Sequence, residues 1–406
     1  MISVPRRARK GALAALPVAA CLVMAACSSS SSTPSASTSS SSAAVPQVSV
    51  GDLTNSFAAM ATLKPLASEG KGSVAAILPD TVTSARYTEF DAPYLSEALA
   101  AAGLSPSQFS VQNAQGSDAT ELSDAQEAIT KGASVIIMDP LDSGIGAQIE
   151  SLAKSHGVDV IDYDRLTLGG SRQYYVSFNN VEVGTLIGNG FVACASAWHV
   201  SKPNVLVMKG APTDNNATLF AQGYNAVLAS HFSDGSYVNV GTPPGTWDPP
   251  TAETEFQQQY TAHKNINSVL TPNDENAAPI ITYLQRLHVK PDTFPVTGQD
   301  ATLVGLQNIL SGYQCGTVYK PIYKEAQAAV ALAMYLRASK TPPKSLVNNT
   351  TEDSQTSTAV PSVLLIPEWV TPSNMNSTVI ADQFVPAQQL CVGAYVAACK
   401  SAGISV

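Results

Sequence analysis

Carboxylates, amides and basic groups gather in short polar stretches along this chain. They read Pro79-Asp80 running on to Ala85-Arg86-Tyr87, then Asp139-Pro140, Tyr163-Asp164-Arg165, Asn179-Asn180, Asp214-Asn215-Asn216, Asn273-Asp274, Gln299-Asp300 and Lys320-Pro321. Each type has a use against a polyhydroxyl ring. Every hydroxyl both donates and accepts, and carboxylate, amide and guanidinium groups can bridge neighbouring hydroxyls through two bonds. Tyr87 and Trp247 add flat apolar faces for the C–H side of such a ring. A charge-assisted hydrogen bond contributes ~1.5–3 kcal/mol, so a handful would hold a small polyol tightly. Other chemistries lack their residues. There is no Gly-x-x-x-x-Gly-Lys-Ser/Thr phosphate loop and no Cys-x-x-Cys or His-x-x-x-His metal spacing. Gly184–Gly190 reads as helix packing, and His156, His199, His231, His263 and His288 read as surface groups near helix ends. No cofactor is expected.

Nearly every polar stretch follows a short apolar run. Strands are expected at Ser73–Leu78, Ser134–Met138, Val158–Tyr163, Gln173–Phe178, Asn204–Met208, Ser268–Leu270, Phe294–Thr297, Gly316–Tyr319 and Ser362–Ile366. Helices are expected at Tyr94–Ala102, Ala119–Lys131, Val183–Trp198, Asn216–Ser230, Glu275–Leu287 and Lys324–Ala338. This βαβ alternation implies parallel α/β sheets, which bind ligands outside the carboxyl ends of their strands. About ten strands are too many for one compact sheet of this kind, so two similar lobes are expected.

The remaining composition narrows the setting. The chain has 406 residues, 45% of them hydrophobic, and carries 22 basic against 31 acidic side chains for a net charge of −9. That balance argues against a nucleic-acid partner. Arg6, Arg7, Arg9 and Lys10 precede an uncharged apolar stretch from Gly11 to Ala26, the pattern of an export signal over residues 1–26. Met24-Ala25-Ala26-Cys27 resembles a lipobox, which makes Cys27 the expected lipidation site and the outer face of a bacterial cytoplasmic membrane the expected location. An ordinary signal cut after Ala-x-Ala is the alternative. Removing four basic residues leaves 18 against 31, or −13. From Ser28 to Ser42 eleven of fifteen residues are serine, so residues 27–72 are read as a flexible tether. Cys194, Cys315, Cys391 and Cys399 would remain to form disulfides, with three pairings open. Within one continuous helix Cys391 and Cys399 would lie ~12 Å apart, beyond disulfide reach.

Several stretches together resemble the periplasmic sugar-binding proteins of ABC importers, within them the D-xylose-binding group. They are Asp162-Tyr163-Asp164-Arg165-Leu166, Tyr175-Val176-Ser177-Phe178-Asn179-Asn180, Asp214-Asn215-Asn216-Ala217-Thr218-Leu219-Phe220 and Pro272-Asn273-Asp274. Thr297-Gly298-Gln299-Asp300, Thr317-Val318-Tyr319-Lys320-Pro321-Ile322 and Val360-Pro361-Ser362-Val363-Leu364-Leu365 follow in family order. The resemblance implies a type I periplasmic binding protein fold: two Rossmann-like lobes with parallel sheets flanked by helices, joined by a crossing hinge. It implies a monosaccharide, such as a xylose-like pentose, bound between the lobes by a monomer and presented to an ABC permease. Residues 73–179 plus 320–352 would form the first lobe, and 180–319 plus 353–406 the second with its tail. Carried over by motif, the ligand contacts would be Arg86, Tyr87, Asp164, Arg165, Asp214, Asn216, Trp247, Asn273, Asp300 and Lys320. Tyr87 stands where the family has Trp, and prolines around Trp247 depart from its pattern.

Plainer roles compete for these residues. Asp300 and Asn216 could cap the helices that follow, Asn273 could stabilise a turn, Arg165 could pair structurally with Asp164, and Arg86 and Tyr87 could sit on a solvated helical turn. Among functions, a sensing receptor ectodomain shares the lobe architecture. A glycoside-processing enzyme would need two carboxylates of separated pKa, and a sugar-responsive transcription regulator would need a helix-turn-helix where this chain has its signal and serine tract.

Overall fold

Strands of unbroken apolar character need cover on both faces. The computed structural model, which describes residues 44–405, supplies that cover. Its strands are β1 Ser73–Leu78, β2 Phe109–Asn113, β3 Ala133–Met138, β4 Asp159–Tyr163, β5 Tyr174–Phe178, β6 Asn204–Val207, β7 Val238–Gly241, β8 Ser268–Leu270, β9 Thr317–Tyr319, β10 Asn349–Asp353, β11 Thr358–Leu365 and β12 Glu368–Val370. Its helices are α1 Lys64–Glu69, α2 Ala92–Ala101, α3 Asp118–Thr130, α4 Ser143–Ser155, α5 Asn180–Ala197, α6 Asn215–Ser233, α7 Pro249–Ala262, α8 Asp274–Arg286, α9 Leu303–Leu310, α10 Ile322–Arg337, α11 Ala387–Leu390 and α12 Val396–Ser401. The signal, Cys27 and the serine tract lie outside the described residues.

The first half is a seven-stranded sheet in the order β10-β11-β5-β4-β3-β1-β2, parallel except for the β10–β11 hairpin. The second half holds the parallel sheet β7-β6-β8 and the antiparallel pair β12-β9. Between them runs the segment expected as a strand at Phe294–Thr297. It is extended, but makes only isolated bridges at Val296 and Gln299, because Pro295 has no N–H to give a ladder. The chain passes between halves three times: from β5 into α5, from β9 into α10 and from β11 into β12.

Two expected boundaries move. The tether does not extend to residue 72, since Leu53, Phe57, Met60, Leu63 and Leu66 are buried in the first half's core. Gln327 Nε2 and Tyr335 OH, both on α10, donate to the backbone carbonyls of Thr54 and Pro46. Nor does the second half begin at Asp353, because β11 pairs in parallel with β5 from Ser362↔Tyr175 to Leu365↔Phe178. The apolar residues of both segments need cover that only the first half offers.

The four cysteines form Cys194–Cys315 and Cys391–Cys399. The second bridge closes because the chain is not one helix there. α11 stops at Leu390, Gly393 takes a φ of 54°, and the two Cα atoms come within 5.8 Å. The C-terminal segment bridges the halves: Phe384 stacks on Phe90 with ring centroids 3.9 Å apart, and Asp382 accepts from the hydroxyls of Tyr319 and Tyr323.

The Gly184–Gly190 stretch is helix packing, as the sequence implies. A Cβ on Gly184 would overlap the Phe220 carbonyl oxygen of α6, and one on Gly223 would overlap that of Val181 on α5. Gly184→Ala should therefore lower unfolding stability by about 1–3 kcal/mol through overpacking. Equilibrium urea denaturation of the two proteins checks this.

Candidate functional site

Ten side chains singled out by the sequence line one cavity at the carboxyl ends of the strands: Arg86, Tyr87, Asp164, Arg165, Asp214, Asn216, Trp247, Asn273, Asp300 and Lys320. The space left among them is small, about 30 Å³. Strand ends deliver the groups. Arg86 and Tyr87 follow β1, Asp164 and Arg165 follow β4, Asp214 follows β6, Trp247 follows β7, Asn273 follows β8, and Lys320 follows β9.

Arg86 does not sit on a solvated turn; it is 2% exposed. Its Nε and Nη2 donate to Asp91, Nη2 also to Glu325 at 2.7 Å, and Nη1 to Asp164 at 2.8 Å. Burial works against the Asp164 carboxylate, but Arg86, Lys320 and Arg165 together overcome it and hold its pKa below the usual range. Burial lifts Glu325 to about 8 against the pull of Arg86. The Asp164 backbone is left-handed, with φ 57°. Its carbonyl oxygen accepts from Tyr175 OH at 2.9 Å, Ser177 Oγ at 2.8 Å and Asn216 Nδ2 at 3.0 Å, which fixes that uncommon conformation from both halves.

Arg165 is anchored from behind. Nη1 donates to the carbonyls of Pro140 and Leu141, Nη2 donates to Tyr87 OH at 2.8 Å, and Nε lies 3.3 Å from Asp214 and 3.6 Å from Asp139. Tyr87 is therefore more than a stacking face. Its ring lies 5.6 Å from the Arg86 guanidinium carbon and 5.7 Å from that of Arg165.

From the second half, Asp214 accepts from Asn216 N and Trp247 Nε1, and burial raises its pKa despite Arg165. Trp247 meets Phe220 edge to face. Asp300 has φ 93°, and its Oδ1 lies 3.1 Å from Lys320 Nζ. Of the competing roles, Asn273 caps α8 through Asn276 N instead of holding a turn, while Asp214 caps α6 in place of Asn216 and Thr302 caps α9 in place of Asp300.

Thr83, Ser84, Phe220 and Gln299 also line the cavity and were missed as site residues. Two carried a readable signal: Gln299 adjoins Asp300, and Phe220 lies four residues beyond Asn216 on the same helical face. Gln299 Oε1 is buried without a hydrogen-bond partner. Among the described residues no cluster of metal-ligating side chains occurs, and no helix is long and apolar enough to cross a membrane.

Two α/β halves crossed three times by the chain, with polar strand ends facing a shared cavity, define the type I periplasmic binding protein fold. The periplasmic binding protein domain matches residues 75–341, and the chain belongs to that family. It is 32% identical over 283 residues to the D-xylose-binding periplasmic protein of Escherichia coli, covering 69% of this chain and 82% of that one. It is 29% identical over 349 residues to the multiple sugar-binding periplasmic receptor ChvE of Rhizobium radiobacter, covering 80% and 94%. A carbohydrate transporter solute-binding protein from Chloroflexus aurantiacus, solved with D-glucose, superposes with a TM-score of 0.69 at 27% identity, covering 78% and 98%. Family members are substrate-binding transport proteins rather than enzymes.

The Arg86 network sets a stability expectation. Asp91→Ala removes two of the guanidinium's bonds inside the fold and should cost about 3–5 kcal/mol, as breaking a buried pair does. Denaturant midpoints of the variant and the parent protein measure it.

Proposed function

We propose that this protein captures one monosaccharide, a xylose-like pentose or related aldose, between its halves and delivers it to an ABC permease. In this reading it works as a monomer at the outer face of the cytoplasmic membrane, held by lipid on Cys27, and the ten cavity residues are its ligand contacts. One observation carries the reading: the cavity wall is balanced and amphoteric. Three cations, Arg86, Arg165 and Lys320, stand against three carboxylates, Asp164, Asp214 and Asp300. Unspent donors remain on Arg86 Nη1, Asn216 Nδ2 and Asn273 Nδ2, and unspent acceptors on Asp164 Oδ2 and Gln299 Oε1. A neutral polyol satisfies both kinds at once. A carboxylate or phosphate would meet three negative groups, and an amine three positive ones.

The receptor reading also has support, since one relative carries that name and binds multiple sugars. Closure on a sugar serves a sensor as well as a permease.

A thermal-shift screen of the mature chain against aldopentoses, aldohexoses and sugar alcohols tests the cargo. At about 100 times the dissociation constant, linkage adds ~2.7 kcal/mol, a rise of roughly 3–4 °C for a folded body of this size. Asp300→Ala or Arg165→Ala should weaken binding of the responding sugar about 10- to 100-fold while the protein stays folded. Unchanged affinity in both variants would remove the site assignment, and no response to any sugar would remove the cargo class.

A further inference from the structure

Glu275, the second residue of α8, does not line the cavity but touches the opposite half of the molecule. Its Oε1 accepts from Ser84 Oγ at 3.0 Å and from Ala85 N at 3.1 Å, both on the loop after β1. Its Oε2 accepts from Asn273 Nδ2 at 3.0 Å. Ala85 N stands at the start of the helical run that continues through α2; burial, with Asp300 and Asp274 nearby, lifts the Glu275 pKa to about 8 against the pull of that N–H. One carboxyl group thus joins the halves with one oxygen and holds a cavity amide with the other.

We propose that Glu275 is a positioning residue with two tasks: it latches the second half onto the Ser84–Ala85 loop when the cleft closes, and it orients Asn273 toward the cargo. No cargo atom takes part in the latch. Its free energy therefore adds to the closed state whatever sugar is present, including none. Apparent affinity scales with the fraction of molecules that can adopt the binding-competent state. Loss of the latch should lower affinity for every accepted sugar by a similar factor, whereas loss of a contact residue changes the factor from sugar to sugar.

The second half of this proposal rests on the sugar-binding reading above; the latch itself does not. Glu275→Ala, Glu275→Gln and Ser84→Ala are compared with the parent protein by small-angle X-ray scattering without ligand and by calorimetric titration with at least three sugars that bind. Glu275→Ala should increase the radius of gyration and weaken every sugar on the order of tenfold beyond what Glu275→Gln costs that same sugar. Ser84→Ala should raise the radius of gyration less, because Ala85 N–H still reaches Oε1; Ser84 also lines the cavity, so for this variant the ligand-free scattering alone reads the latch. Glu275→Gln keeps a carbonyl for the Ala85 N–H but turns its amide toward the amide of Asn273. It should retain the parent scattering and still lose affinity. A loss in Glu275→Ala no larger than that in Glu275→Gln for each sugar would overturn the latch, as would unchanged scattering together with unchanged affinities. If no sugar binds even the parent protein, the functional reading falls, and the ligand-free scattering alone decides the latch.

Discussion

A guanidinium buried as deeply as that of Arg86 is tolerated only if its charge and its donors are met inside the protein, and this requirement organises the cavity around it. Asp91 at the start of α2, Asp164 after β4 and Glu325 on α10 converge on it from three segments far apart in sequence. Desolvating one such ion costs several kcal/mol, and the cost is offset only when partners are placed well. Once Arg86 is held, Asp164 is held with it. The Asp164 carbonyl then gathers Tyr175, Ser177 and Asn216, and Asn216 belongs to the other half. A structural ion network thereby fixes the place where the two halves meet.

The parts of this arrangement that sequence reveals are those dictated by short-range chemistry. Strands buried on both faces, such as β1 and β3 inside the large sheet, appear as plain apolar runs, which the sequence locates to within a residue. Polar residues just beyond them face the cavity because α/β strands end there. That rule, with the motif order, brought all ten residues to one cavity. Edge strands obey a different constraint. β2 and β7 are only half covered, so they carry no continuous apolar run and were not expected. The helix α4 was likewise unforeseen, although Asp142 caps it through two backbone N–H groups.

Long-range placement is the harder class. Nothing local distinguishes the apolar residues between Val48 and Leu66 from a loose linker until α10 is present for them to cover. The same holds for Phe384, whose partners Phe90 and Tyr319 come from opposite halves. The Cys391–Cys399 bridge is one of three pairings the sequence leaves open, and the spacing that would forbid it in one continuous helix does not apply because the helix ends at Leu390. Likewise Tyr87 reads as a flat face in sequence, and only the fold shows its hydroxyl accepting from Arg165.

The site reading and the latch proposed above assign selectivity and affinity to different contacts. Arg165 near Asp214, Asn216 on the Asp164 carbonyl, and Ser84 with Ala85 on Glu275 all join the halves without any cargo atom. By the proposal above, such contacts favour the closed form without cargo. A ligand can then shift the population only by the contacts it makes better in that form. On the reading proposed above, those contacts are the few donors and acceptors left unspent by the network, held in place by groups that are already paired. A hydroxyl in the wrong configuration would leave one of these fixed groups unsatisfied in a closed, poorly hydrated space. A missing bond there costs more than the bond itself would contribute in water. On that reading, rigidity in the wall would supply discrimination between epimers, while the cross-cleft contacts would set how much binding energy remains after closure.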